Sequence, residues 1–590
     1  MSEKVRGSHA ISHQPNRIKR RGVLIACILL ALPWLVSRSL FSEYSAAPHN
    51  DDWLYGRSVQ VLAEEGRYQH VSQHGELAAS VVSHVYWGWL FVWEEFSFEA
   101  LHLSQAVAGW LTCVGVMLVV LMLGGRLQFA ILASVSLLIC PLFFGHTFTF
   151  MTDVTALMFV TYALLCFICS DQCRRVGPLI LGSVLTALVF WCRQTHAIIG
   201  VVPIYVLWAN RASLTRRQML LRLGILVGVP AISLLVFEWA GLVPGNESRT
   251  GTLFIKVFDL ERLKQIAIYL YGTGLLLGML LLPISSSVVL KLIKRQEVLI
   301  NRWWIGLVCL LWAGVFVATG GRTYITQSVG YFLHNAHLGP VLFADPPHPD
   351  GSWTYLGDVK WIPLIWQILT LMSILSLAVC VALGFSGGQR RESGVSSFGI
   401  GPWRTGILLF CILVSLSLLA VVENIVDRHW LVLFVPAVIW VGTSPALEGF
   451  RRLGRASATL VWLAIFAIGY ISMTFTHDWL AFNHQRNLQM HQWLSEEGLR
   501  PQDIDVGMDL NGWLRTSEDY ASRQREGDLT RSWRGLATYA LAHRPRKGWS
   551  VIGQRSWLSW AVETDQYLLL LKKDNAEGVE NEAFTPTSKE

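Results

Sequence analysis

The sequence predicts an all-α polytopic membrane bundle of about thirteen transmembrane helices, followed by a small C-terminal α/β domain outside the membrane. Three observations predict it. Of 590 residues, 53% are hydrophobic and only 15% charged, where a soluble globular protein carries about 25% charged residues. Apolar runs near the ~20 residues that cross a bilayer recur along the chain. Lys and Arg gather in short clusters between those runs, which is where membrane topology places them. The net charge of +7 therefore reports topology and implies no nucleic-acid partner. The runs lack the polar–apolar alternation of a transmembrane barrel, so self-satisfied helices are the spanning elements.

The spans follow from the basic clusters. "RIKRR" (17–21) lies inside, so the first run, "GVLIACILLALPWLV", carries the chain out as an uncleaved span; no small-x-small cleavage site follows it. Spans at 101–122 and 127–147 meet inside at "GGRL", and span 153–170 ends inside at "DQCRR". Two short spans, 177–191 and 196–209, meet outside at "CRQTH" and return to the basic "NRASLTRRQMLLR". Spans 222–242, 265–285, 303–319, 361–384, 404–423, 430–442 and 457–474 complete the path, with every inner loop basic. The N-terminus is then cytoplasmic and the C-terminal domain extracytoplasmic, in a cell (inner) membrane. The Trp-rich "VVSHVYWGWLFVWEEF" (81–96) is too short to span comfortably and reads as an interfacial helix. Residues 1–474 form the membrane domain and 475–573 the outer α/β domain. In the latter, "FNHQRNLQMHQWLSEEG" reads as a helix stopped by Gly498, and "DIDVGMD", "GWSVIG" and "QYLLLLKK" read as strands. Residues 574–590 are polar and read as a disordered tail. All ten cysteines lie in or beside apolar runs, so no disulfide framework or Cys-based zinc site is signalled.

Chemistry is expected where charge sits on the outer side. Three outer loops, 43–100, 243–264 and 320–360, are longer than most connections. The first holds "APHNDDWLYGR", in which Asp51 and Asp52 follow the first span. A partly desolvated carboxylate there is a candidate general base or cation ligand; the alternative is a helix cap for the segment beginning near "WLYGR". Only one of two adjacent residues is expected to face a site. Asp153, in "FTFMTDVTALMF", opens a span at the outer surface; there Thr152 or Asp153 equally suits a helix cap. Arg193, in "FWCRQTHAII", lies against the positive-inside bias and calls for an anionic partner, phosphate among them; the alternative is snorkelling to lipid phosphate. Arg428 and His429 repeat the pattern in "VENIVDRHWLVLFVPA", where Asp427 can neutralise Arg428. Arg322 and Lys360 border the third loop, and "GNES" (245–248) is an outward glycosylation sequon. The sequence contains no Walker-type loop, HExxH or paired-Cys motif.

Taken in order, these motifs resemble the GT-C superfamily of membrane glycosyltransferases. The likeness is to bacterial family-39-type enzymes related to the protein O-mannosyltransferases and the lipid A aminoarabinose transferase. "NDDWLYGRSVQVLAEEGRY" resembles the first-loop acidic signature with its Tyr, here Tyr55, and "DRHWLVLFVPA" resembles a late "RYLLPLLP" segment, with His429 and Trp430 replacing Tyr-Leu. "RQTHAI" is similar to a stretch of dolichol-linked glucosyltransferases. The likeness covers the first six spans, the middle poorly and the C-terminal domain hardly at all. It implies a sugar carried on a polyprenyl phosphate and inverting transfer to a glycan, lipid or protein acceptor on the outer face. Asp51 or Asp52 would activate the acceptor and Asp153 support the site. Arg193 and Arg428 would lie near the lipid phosphate, with His429, Tyr55 and Arg322 as further binding residues. Family members differ in using a divalent metal; any such ion would sit on Asp51 or Asp52. The alternative is a transporter or flippase of a lipid-linked or anionic solute, for which broken helices and internal two-fold symmetry are the expected marks; the sequence displays neither. A polymerase or ligase acting on lipid-linked glycan shares the same donor class.

Overall fold

The computed structural model describes residues 20–44, 46–49, 51–69, 81–170, 173–240, 260–293, 302–318, 362–386, 400–421, 427–447, 454–514, 537–542, 545–560 and 565–574. Arg322, Lys360, the sequon at 245–248, most of the second and third outer loops and the final tail lie outside these residues.

The chain enters through α1 (Arg20–Leu40) and then runs through two short helices, α2 (Asp52–Glu65) and α3 (Val82–Trp89). It continues with α4 (Phe98–Met122), α5 (Leu127–Leu138), α6 (Pro141–His146), α7 (Thr152–Cys169), α8 (Val176–Phe190), α9 (Val201–Ala209) and α10 (Arg216–Trp239). The second half contains α11 (Leu260–Leu280), α12 (Leu282–Ile293), α13 (Arg302–Ala318), α14 (Ile362–Phe385), α15 (Ile400–Val421), α16 (Leu431–Gly442) and α17 (Arg455–His491). Among the described residues seven helices are long and apolar enough to cross a membrane, one further pair is bent, and five apolar segments are shorter. Every predicted span falls on one of these, and the chain is a multi-pass membrane protein.

Two predicted spans differ in detail. The stretch 127–147 is interrupted, because α5 ends at Leu138 and α6 starts at Pro141. The span at 265–285 is broken: α11 and α12 bend by 65° at Leu281. Pro283 lies at the start of α12, where its missing N–H costs least. The sequence reading did not anticipate this break.

Packing follows the side chains. α4 lies against α7, and α7 against α8. A methyl group on Gly115 of α4 would sit 2.6 Å from Thr161 of α7, so the two backbones approach as small residues permit in membranes. α16 is buried nearly all round, with Leu431, Phe434 and Val438 inaccessible and Trp430 sealed at its cap. α10 is the opposite: Leu220, Leu221, Ile232 and Leu235 are exposed, as a lipid-facing helix requires. Trp93 and Trp239 are almost fully exposed at loop junctions, where indole favours the headgroup level. α3, with eight residues, is about 12 Å long and cannot span.

α17 carries the bundle into the C-terminal unit. It continues through the Gln492–Glu496 turn, and Gly498, at φ +65°, takes the left-handed conformation that ends it. Beyond lie β1 (Ile504–Asp505), α18 (Met508–Leu514), β2 (Tyr539–Ala542), β3 (Trp549–Leu558) and β4 (Asp565–Lys573). The sheet order is β1-β2-β4-β3, with β1 parallel to β2 and the other pairs antiparallel. Arg486 of α17 fastens α18, donating to Asn483 (2.7 Å), to the Val506 carbonyl (2.8 Å) and to both oxygens of Asp509.

Candidate active site at one end of the bundle

Asp51 occupies the cap position of α2, yet its carboxylate makes no capping bond. It turns instead to Arg428, whose Nη2 donates to Oδ2 over 3.1 Å. Arg428 comes from the short turn Asp427–Trp430 ahead of α16. The Asp427 side chain lies outside the described residues, so the partner in view is a loop more than three hundred residues away. Asp153 likewise does not cap α7: the cap position is Met151, without a capping bond. The Asp153 carboxylate pairs with the Arg193 guanidinium. Neither carboxylate serves as the cap that the sequence offered as an alternative.

The two ion pairs are adjacent. Arg428 Nη1 lies 3.7 Å from Met151 Sδ, and Met151 is two residues from Asp153. Burial, and then the charge of Arg428, push the Arg193 guanidinium down to about 10, so it stays cationic at neutral pH. His429, half-buried, lies in the field of both arginines. Tyr55, one turn along α2, is buried and packs edge-on against His84 at 5.4 Å. Burial and then the Asp51 charge raise its phenol above the ordinary range. Asp51, Asp153, Arg193, Arg428, His429 and Tyr55 thus gather at one end of the bundle.

Asp52 faces elsewhere. Its side chain is 0% exposed, against 16% for Asp51. Oδ2 accepts the His49 N–H at 3.1 Å and shares a hydrogen bond of 2.9 Å with His102 Nε2. The His49 and His102 rings stack at 5.0 Å, and Trp479 of α17 closes the other side of His49 at 5.2 Å. Burial drives the Asp52 carboxyl up to about 7 and holds the His49 imidazole down at about 3. A cleft lined by Arg38, Glu99, His102, Phe41, Phe148 and Leu480 borders this cluster.

Sequence reasoning missed His49, His84 and His102. His84 and His102 are lone polar rings in apolar stretches, which was the available signal; His49, in the polar turn "PHNDD", carries none. His84 is wedged between Thr155 Oγ1 (3.0 Å) and the Phe150 carbonyl (3.2 Å), stacked on the Phe150 ring at 4.0 Å. It thereby joins α3 to the start of α7, next to Asp153.

The acids do not suit a divalent ion. Asp51 is occupied by Arg428, with Arg193 in its neighbourhood, and Asp52 is occupied by His102. Among the described residues no group of three or more His, Cys, Asp or Glu is arranged around a common point.

No family model matches the chain, and no curated protein matches it. Solved structures do. One is ArnT from Cupriavidus metallidurans bound to undecaprenyl phosphate, at 15% identity, with 95% of this chain and 99% of that chain covered and a TM-score of 0.39. The same protein in the apo state is similar at 14% identity, with 92% and 97% covered and a TM-score of 0.39. At that identity and TM-score the likeness assigns no residue a role.

Chemically, the site offers two cations for one anion and one accessible carboxylate. It also offers Asp153 Oδ2, a buried acceptor with no hydrogen-bond partner among the described residues. A buried carboxylate oxygen left unbonded costs free energy, which a substrate donor would recover.

Proposed function

We propose that the chain is a membrane glycosyltransferase that moves a sugar from a polyprenyl-phosphate carrier to an acceptor hydroxyl on the extracytoplasmic face. The observation that carries this reading is the pairing of Asp51 with Arg428 beside Asp153 and Arg193. Two cations held next to each other at a bundle end form a phosphate site. Spans beneath suit a polyprenyl tail, and loops above suit a sugar.

The steps follow from charge. With no substrate, each arginine is neutralised by an acid, which spares the boundary an uncompensated ion. The carrier phosphate competes for Arg428 and Arg193 and frees the Asp51 carboxylate. Asp51 takes the proton of the acceptor hydroxyl. The acceptor oxygen forms its bond to the anomeric carbon from the face opposite the phosphate, so configuration inverts. The bond from that carbon to the phosphate oxygen breaks, and its electron pair leaves with the polyprenyl phosphate, whose growing charge the two guanidiniums stabilise. Asp153 Oδ2 accepts from a sugar hydroxyl. Asp51 is the base because it is the reachable acid; Asp52 holds the first turn of α2 in place.

The test is transfer measured in lipid, with donor drawn from a native membrane extract. Asp51→Asn should lower kcat by about 10²–10⁴-fold, with Asp52→Asn less affected. Full activity in Asp51→Asn would remove the mechanism.

The break at Leu281 favours a second reading, a flippase or transporter of a lipid-linked solute. Reconstituted protein that moves lipid-linked sugar across the bilayer and forms no new glycosidic bond would establish it instead.

A further inference from the structure

The helix that bears the acids is clasped from outside the bundle. α18 of the C-terminal unit lies on α2: the Gly512 backbone packs against the Trp53 ring so closely that no side chain fits between them. The next residue makes four contacts. The Trp513 carbonyl accepts from Arg57 Nη2 at 2.8 Å, and its indole lies under the Arg57 guanidinium at 4.2 Å. The same indole stacks on Phe96 at 5.4 Å and meets Phe98 edge-on at 4.8 Å. Phe98 in turn abuts α2 at Gly56. Trp53 and Arg57 are one turn apart on α2, and Trp53 directly follows Asp52. A residue of the C-terminal unit therefore bridges α2 and the start of α4, one turn along α2 from Asp51.

We propose that Trp513 is a positioning residue for transfer: through Arg57, and through Phe98 against Gly56, it fixes the N-terminal half of α2, and with it the Asp51 carboxylate, against Arg428. This rests on the reading of Asp51 as base. It makes the C-terminal unit part of the catalytic apparatus and not a separate module. Trp513 touches no reacting atom in this arrangement. Removing it leaves the arginine pair intact, so donor binding persists while the base loses its aim.

The full chain in lipid tests this, with Trp513→Ala, Trp513→Phe, Arg57→Gln and Asp51→Asn side by side. Misplacing a reacting group by about 1 Å costs on the order of 10²-fold, so Trp513→Ala should lower kcat by about that factor with donor KM unchanged. Trp513→Phe keeps the ring contacts and should restore most of the rate. Arg57→Gln should reproduce the kcat loss, and it carries the test should Trp513→Ala fail to fold. Wild-type kcat in Trp513→Ala, or in Arg57→Gln, beside an inactive Asp51→Asn overturns the positioning role and leaves the transferase reading standing. So does a loss that falls on donor KM and is not rescued by Phe. An active Asp51→Asn overturns the underlying reading itself.

Discussion

Asp51 and Asp52 are neighbours in sequence and opposites in environment. One is ion-paired and reachable; the other is sealed beneath His49 and His102. The sealed pair has a consequence for stability. Burial raises the Asp52 carboxyl from 3.8 to about 7, so the folded chain holds a proton that the unfolded chain has released. That contribution is full below about pH 4 and is lost as pH rises through about 7. Burial lowers the His49 imidazole from 6.5 to about 3, so the folded chain lacks a proton that the unfolded chain carries. That contribution is present above about pH 6.5 and is lost as pH falls toward 3. Between about pH 4 and 6.5 the two slopes oppose and nearly cancel. Asp52→Asn removes one of them. Its stability should then rise with pH across that window, by up to about 1.4 kcal/mol per unit relative to wild type. Thermal unfolding of both proteins at pH 4.5 and pH 6 checks this; parallel profiles would show that the two groups do not titrate as described.

At the scale of elements, α2 is set by what touches it and not by its caps. Its C-terminus is conventional, with Gly66 in the left-handed region donating to the Leu62 carbonyl. Its middle is pinned: a methyl group on Gly56 would lie 2.8 Å from the Phe98 ring. Gly56→Val should cost about 1–3 kcal/mol through overpacking. It should also depress transfer, measured beside an unfolding curve; unchanged stability would mean that Phe98 yields. Elements of this kind explain what the sequence disclosed. The helix after Asp52 was legible because a turn cluster precedes a run of helix formers. The partners of Asp51 and Asp153 were not legible, because they come from turns hundreds and tens of residues away. β2, "YALA", was missed because an Ala–Leu tetrapeptide carries no strand signal and is defined only by its neighbour β4. The break between α11 and α12 was masked by continuous hydrophobicity, with Pro283 its one visible mark.

At the scale of the whole molecule, the account requires one sidedness. The acids, the arginines and the C-terminal sheet lie toward the same end of the bundle, since α18 rests on α2. If the basic loops are cytoplasmic, that end faces outward. Lys547 is exposed beside β3, so Lys547→Cys in intact cells should react with a membrane-impermeant maleimide above the wild-type background. Labelling only after the membrane is opened would reverse the orientation. The gross plan was legible because hydropathy and basic clusters are local properties. The convergence of four charged residues was legible only as a list of misplaced charges, and it took the fold to pair them. The central claim is that these pairs form a phosphate site for a membrane lipid. Its most direct test is the amount of polyprenyl phosphate retained by purified protein, read by native mass spectrometry, for wild type and for Arg193→Gln/Arg428→Gln. The account predicts a bound polyprenyl phosphate on the wild type that is lost from the double variant. Equal retention by both, or none by the wild type when the lipid is supplied, would contradict it.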